Sequence, residues 1–252
     1  MKRLLVIAVL LIATAGLLFA GGSKESPSGE KTIVVATDAT WPPMEFVNRD
    51  KEIVGFDIDL MRAAAKAGGF NVEFKNTAWD GIFAGLANGD YDAVISSVTI
   101  TDERQKTMDF SVPYINAGQV LIVPKSTTGV TTLQDLKGKA VGAQIGTTGA
   151  IEINKVSGVE LRTYDELGLA IEDLANGRIA GVVADTPIAA NYALQNDNYK
   201  DRLKIVGEPF TNELYGVAVK KGNTEVLDMV NKGLKAVLDA GKDKELKDKW
   251  LR

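Results

Sequence analysis

Short apolar runs alternate with amphipathic stretches of helical period through most of this chain. Thr32 to Thr37 reads as a strand, broken by Asp38-Ala39-Thr40-Trp41-Pro42-Pro43, and Met44 to Val47 as an extended segment before a turn at Asn48 to Lys51. Phe56 to Ala67 has the 3.6-residue period of a helix, stopped by Gly68-Gly69. Asn71 to Lys75 reads as a strand, Asp80 to Ala87 as a helix ended by Asn88-Gly89, and Tyr91 to Ile95 as a third strand. Met108 to Tyr114 and Gln119 to Pro124 are extended, with Asn116-Ala117-Gly118 between them. The alternation then restarts. A capped turn of helix spans Thr132 to Leu136, a strand Lys139 to Gln144, and a helix opens at Gly146-Thr147-Thr148-Gly149. Val159 to Thr163 and Ile179 to Ala184 read as strands around a helix from Asp165 to Ala175, and Thr186-Pro187 opens another helix with proline near its first position. Leu203 to Val206 and Leu214 to Val219 are the last strands, and Asn223 to Ala240 and Lys242 to Leu251 are amphipathic helices. Strands and helices in this order imply an α/β fold with mainly parallel sheets flanked by helices.

The pattern also repeats. Leu86-Ala87-Asn88-Gly89 followed by an apolar strand ending in Ser96-Ser97 echoes Leu174-Ala175-Asn176-Gly177 followed by a strand ending in Ala184-Asp185. The echo suggests two similar lobes, each with a polar group at a strand end. In open parallel sheets ligands bind beyond the carboxyl ends of the strands. Those ends carry Asp38 and Trp41 after the first strand, Trp79 after the second, and Ser96, Ser97, Thr99 and Arg104 after the third. The second half adds Gln144, Thr148 and Asp185. Singly, each has an ordinary reading as cap, core or turn. Together they fit one chemical object. Arg104, the Thr99 hydroxyl and the amides near Thr148 suit an α-carboxylate, because a guanidinium fork and helix-start N–H groups both bind anions. Asp185 and the Ser97 carbonyl suit an α-ammonium. Trp41 and Trp79 can wall a side chain whose polar end Asp38 accepts, and cation–π stacking favours a cationic end. The inferred ligand is a free amino acid with a polar or cationic side chain.

Charge and composition narrow the classes. With 252 residues, 45% hydrophobic and 25% charged, the chain is an ordinary globular sequence, long enough for two small domains. A formal charge of −4 and a pI near 5.1 argue against nucleic acid. Absence of cysteine and histidine removes disulfides, thiol nucleophiles, histidine triads and almost every zinc site, and no cofactor is implied. The start is a leader: Met1-Lys2-Arg3 is basic, Leu4 to Ala20 is uncharged, and small residues follow. Residues 1–20 are therefore expected to be a signal peptide and 21–30 a flexible tether, which predicts a periplasmic or other extracytoplasmic location. Its removal takes Lys2 and Arg3 and carries the formal charge from −4 to −6. Without cysteine at the cleavage point, a lipid anchor is not supported.

Several motifs carry a family resemblance: Thr37-Asp38-Ala39-Thr40-Trp41-Pro42-Pro43-Met44-Glu45-Phe46, Val54-Gly55-Phe56-Asp57-Ile58-Asp59-Leu60, Ser96 to Arg104, Gly138-Lys139-Ala140-Val141-Gly142 and Gly146-Thr147-Thr148. In them the chain resembles the polar amino-acid-binding proteins of bacterial ABC importers, extracellular solute-binding protein family 3, over about residues 32–252. The resemblance implies a two-lobed periplasmic binding-protein fold (type II) with two hinge crossings. Lobe 1 would be residues 30–116 plus 214–252 and lobe 2 residues 117–213. It implies Thr99, Arg104 and Thr148 for the ligand carboxylate, Asp185 for the ammonium, Trp41 and Trp79 as walls, and Asp38 for the side-chain end. The partners implied are a free amino acid of the arginine, lysine or glutamine class and a membrane permease, and a monomer fits such a shuttle. Met44 stands where phenylalanine is usual, Trp41 where basic-amino-acid binders often have tyrosine, and Gly149 where some have glutamine. Gln144 to Gly149 resembles arginine-type and glutamine-type members, so arginine is the first ligand and glutamine the neutral rival. The rival of another class is a dehydratase on a fold resembling cyclohexadienyl dehydratases, with Glu45 as its acid. Arg104, Asp185 and the aromatic pair account for the polar set without a catalyst, so no enzyme is expected.

Overall fold

The computed structural model describes residues 30–252; the expected leader and nearly all of the tether lie outside them. In chain order the elements are β1 (Thr32–Thr37), β2 (Thr40–Trp41), β3 (Glu45–Val47), β4 (Ile53–Val54), α1 (Phe56–Gly68), β5 (Asn71–Asn76), α2 (Ile82–Asn88), β6 (Ala93–Val94), α3 (Asp102–Thr107), β7 (Met108–Phe110) and β8 (Ile115–Asn116). There follow β9 (Gln119–Pro124), β10 (Ala140–Gln144), α4 (Thr148–Asn154), β11 (Glu160–Tyr164), α5 (Leu167–Ala175), β12 (Gly181–Asp185), α6 (Thr186–Ala190) and β13 (Leu203–Val206). The chain ends with β14 (Leu214–Tyr215), β15 (Ala218–Lys220), α7 (Thr224–Asp239) and α8 (Lys242–Trp250).

These strands build two five-stranded sheets, ordered β5-β1-β6-β15-β7 and β11-β10-β12-β9-β13. In each, four strands run one way and one is reversed, β15 in the first sheet and β9 in the second. The reversal has a geometric cause. The chain passes between the sheets along β8 and β14, an antiparallel pair joining Ile115 to Tyr215 and Asn116 to Leu214. The strand entered after each passage starts at the edge where its neighbours end. Gln119, first in β9, therefore lies opposite Asp185, last in β12.

Helices cover both faces of the sheets, so the strands read as continuous apolar runs. Ile33 and Val35 of β1 join an apolar cluster with Leu60 of α1 and Val230 and Leu234 of α7. Ala36, on the other face, joins Ile82 and Leu86 of α2. In β12, Val182 and Ala184 pack with Ile171 and Leu174 of α5, while Val183 packs with Ile153 of α4. Helix α1 stops where Gly69 turns left-handed at φ 77° and gives its N–H to the Ala65 carbonyl. Packing of α7 on α1 is close at Gly233, where an added Cβ would lie 2.1 Å from the Ala64 carbonyl oxygen. Gly233→Ala is expected to force the helices apart, cost upwards of about 2 kcal/mol, and lower the melting temperature by several degrees in calorimetry. An unchanged melting temperature would mean that this helix pair tolerates separation.

Three strand expectations need correction. Tyr91 to Ile95 pairs only over Ala93–Val94, although Tyr91 and Ile95 are buried as the apolar run implied. Met108 to Tyr114 is paired within the first sheet only over Met108–Phe110. Leu214 to Val219 is two strands, because the chain leaves the β8–β14 ribbon and enters the first sheet between Gly216 and Val217. Among the described residues no helix is long and apolar enough to cross a membrane.

Candidate functional site

Between the carboxyl ends of the two sheets lies a cavity that opens to solvent, about 320 Å³ with its open mouth included. All ten residues singled out from the sequence line it: Asp38, Trp41, Trp79, Ser96, Ser97, Thr99 and Arg104 from one side, and Gln144, Thr148 and Asp185 from the other. Glu45 and Thr147 also line it.

Local structure explains each placement. Asp38 directly follows β1, and its main-chain N–H is held by the Ser96 hydroxyl at 3.0 Å. Ser97 has φ 49°, a left-handed conformation costing roughly 1 kcal/mol in a non-glycine residue. Its N–H bonds Asp57 Oδ2 at 2.8 Å, so a buried carboxylate holds the strained turn in place. Thr101 caps α3 by accepting from the Arg104 N–H at 3.2 Å, which fixes where the guanidinium leaves the helix. Thr147 caps α4 in the same way, accepting from the Ala150 N–H at 3.3 Å. Asp185 ends β12, and Pro187 near the start of α6 closes the turn after it.

Arg104 is held on several sides. Nη1 donates to the Thr99 carbonyl at 2.9 Å and Nη2 to the Gly146 carbonyl at 3.3 Å across the cleft. The guanidinium lies 5.4 Å from the Trp79 ring centroid and 5.1 Å from that of Phe83. Trp79 thus supports Arg104 as well as lining the cavity, a role not read from the sequence. Burial lowers the Arg104 pKa, opposed by the charges of Asp185 and Glu213.

Two further sets of bonds tie the two sides together, one at Asp38 and one at Glu213, and a bond between neighbouring strands holds Asp185. Gln144 Nε2 donates to Asp38 Oδ2 at 3.0 Å, and Thr40 donates to Asp38 Oδ1 at 2.8 Å. Burial pushes the Asp38 carboxyl upward, and hydrogen bonds from Thr40, Gln144 and the Trp79 N–H oppose this. Gln119 Nε2 donates to Asp185 Oδ1 at 2.9 Å. Burial, moderated by Tyr215 and Gln119 and reinforced by the Glu213 charge, raises the Asp185 carboxyl to about 7. Thr99 and Thr148 both donate their hydroxyl protons to Glu213 Oε2, at 2.8 and 2.6 Å. The Thr99 hydroxyl, read from the sequence as a donor to a carboxylate, has its single proton committed. What remains for an anion on this side is the free edge of Arg104 and main-chain N–H.

Below Ser96 and Ser97 lies a pair of buried acids. Ser96 donates to Glu45 Oε1 at 3.1 Å, Ser97 Oγ to Glu45 Oε2 at 3.4 Å, and Tyr114 to Asp57 Oδ2 at 2.8 Å. Burial and then the Asp57 charge push the Glu45 carboxyl well up, while Asp57 is raised by burial to about 6. Glu45, pushed higher than Asp57, is therefore the member that holds a proton, beside the unpartnered Asp57 Oδ1.

The sequence reading missed Gln119 and Glu213 as parts of this network. One signal was available for Gln119: a polar residue opening an apolar strand that starts at the cleft. Glu213, in an irregular crossing, had no such signal.

The sequence profile of the bacterial extracellular solute-binding proteins, family 3, matches residues 33–252. A probable histidine-binding protein of Neisseria gonorrhoeae is 39% identical over 88% of this chain and 83% of its own length. ABC transporter arginine-binding protein 1 of Escherichia coli (strain K12) is 35% identical over 100% of this chain and 99% of its own. Among solved structures, an ancestral arginine-binding protein bound to arginine aligns with a TM-score of 0.83 at 43% identity, covering 88% of this chain and 99% of that one.

Proposed function

The chain belongs to the bacterial extracellular solute-binding proteins, family 3, and on that premise we propose that it captures a free amino acid with a cationic side chain, arginine first, outside the cytoplasm. It then hands the amino acid to the membrane permease of an ABC importer, acting as a monomer. The observation that carries the cationic preference is the charge balance of the cleft. Asp38 and Asp185 line it as acids beside a protonated Glu45, with Asp57 and Glu213 close behind, and Arg104 is the one cation among the lining residues. One arginine suits one carboxylate; the surplus of acids suits a ligand with two positive groups. The arginine and histidine named in the similar proteins agree with this.

In this reading residues 30–116 plus 214–252 form lobe 1 and residues 117–213 form lobe 2, with β8 and β14 as the hinge. Arg104 takes the carboxylate from lobe 1 and Asp185 the ammonium from lobe 2. Trp41 walls the side chain and Asp38 meets its far end. A ligand touching both lobes favours closure, because only contacts made better in one state shift the equilibrium. Glu45 serves the wall rather than catalysis, since two serines and Asp57 already occupy its carboxyl.

Thermal shifts against the twenty amino acids test this. L-arginine at about a hundred times its Kd is expected to raise the melting temperature by about 5–10 °C, with lysine and histidine behind it. A larger shift with glutamine would reassign the ligand to the neutral class. No shift with any amino acid would end the proposal.

A further inference from the structure

Behind the Thr99 and Thr148 side of the cleft sits a carboxylate that does not line the cavity. Glu213 precedes β14 in the second crossing and is 8% exposed. Oε2 accepts from Thr99 Oγ1 at 2.8 Å and Thr148 Oγ1 at 2.6 Å, and Oε1 accepts from Thr211 Oγ1 at 2.8 Å; Gln119 Nε2 lies 3.4 Å from Oε2, but its two protons go to the nearer Thr148 Oγ1 and Asp185 Oδ1. A carboxylate only accepts, and each hydroxyl has one proton to give. The direction of every bond is therefore fixed. Thr99 is left with lone pairs. Thr148 is left with lone pairs too, one of them taken by Gln119 Nε2 at 3.1 Å. Gln119 Nε2 also donates to Asp185 Oδ1, and the Tyr215 hydroxyl is the other protein group against this carboxyl. Thr99, Thr148 and, once ionised, Asp185 thus offer the cavity side-chain acceptors and no side-chain donor.

We infer that Glu213 is the positioning residue that makes the spot bounded by Thr99, Thr148 and Asp185, next to the Arg104 carboxylate contact, selective for a primary ammonium over an uncharged group. It acts through the two threonines: by taking both protons, it turns each hydroxyl into an acceptor facing the ligand. The inference rests on the amino-acid reading above and adds the residue that sets its head-group selectivity. A ligand lacking the ammonium would leave the lone pairs of two threonines and a carboxylate oxygen unpaired and dry. Sites built around such a group reject analogues that lack it strongly.

The experiment is calorimetry on the full mature chain with L-arginine and with 5-guanidinopentanoate, its des-amino counterpart. Should another amino acid give the largest thermal shift, that amino acid and its own des-amino counterpart replace them. The wild type is expected to prefer the amino acid by about 1,000-fold or more. In Glu213→Gln the carboxamide can turn an N–H toward one threonine, whose proton then points into the cleft, and the preference is expected to fall at least about tenfold. A purely structural Glu213 would weaken both ligands equally, and an unchanged ratio overturns the inference alone. If Glu213→Gln does not fold, Thr148→Val reads the same ratio. It should cost the amino acid more than the analogue, and equal losses overturn the inference. Failure of the wild type to bind any amino acid would instead remove the underlying reading.

Discussion

Arg104→Ala is expected to weaken amino-acid binding by about 100-fold or more in calorimetry, the largest loss expected of any single truncation on its side of the cleft. Removing one member of a buried, hydrogen-bonded charge pair costs about 2–5 kcal/mol, much of it from the partner left unpaired. At 1.4 kcal/mol per decade that is about 30-fold to a few thousandfold. The guanidinium has five N–H donors. One goes to the Thr99 carbonyl and one to the Gly146 carbonyl, and the rings of Trp79 and Phe83 pack about it. The planar fork is therefore set in orientation before a carboxylate arrives, which is what a tight two-point contact needs. Arg104→Lys should recover little. An ammonium cannot span both carbonyls and a carboxylate, and it loses the planar packing. Wild-type affinity in the alanine variant would remove Arg104 from the carboxylate role.

The same bonds explain how much of the site was legible from the sequence. Residues at the carboxyl ends of parallel strands are ordered by topology, so Asp38, Ser96, Ser97, Gln144 and Asp185 could be placed at one edge from hydrophobic pattern alone. Arg104 followed from the helix start at Thr101. The pattern could not say which polar groups pair with one another. Gln144 lies 106 residues from Asp38 in sequence and donates to it. Thr99 lies 114 residues from Glu213. Such pairings depend on how two sheets face each other across β8 and β14, and no local period encodes that. Strand lengths failed for a related reason. Tyr91 to Ile95 is buried except at Asp92, and although the Asp92 and Ile95 N–H groups also bond β1, regular pairing with β1 and β15 covers only Ala93–Val94. Burial and pairing are separate properties, and hydrophobicity reports only the first.

Asp185→Asn separates function from stability, with opposite signs expected. The Asp185 carboxyl is raised from 3.8 to about 7, first by burial and then by the Glu213 charge, against hydrogen bonds involving Tyr215 and Gln119. Arg104 is the facing cation. Between those two values the folded state holds a proton that the unfolded state releases. Stability contributed by this group is therefore present at low pH, is lost as pH rises toward about 7, and levels off above it. The loss is on the order of a few kcal/mol. An asparagine cannot ionise and still accepts from Gln119. The variant should melt higher than the wild type at pH 8, with a flatter profile from pH 4 to 7, where Asp57, near 6, keeps part of the slope. Binding should move the other way. A ligand ammonium needs the ionised carboxylate, so wild-type affinity is expected to fall about tenfold from pH 8 to pH 6, with proton release visible as a buffer-dependent enthalpy. The asparagine variant should lose about 100-fold or more in affinity at pH 8 and most of that pH dependence. A variant that binds as tightly as the wild type, or a wild type whose affinity ignores pH in this window, would show that Asp185 does not hold the ammonium. A variant that melts lower at pH 8 would show that its charge is satisfied within the fold.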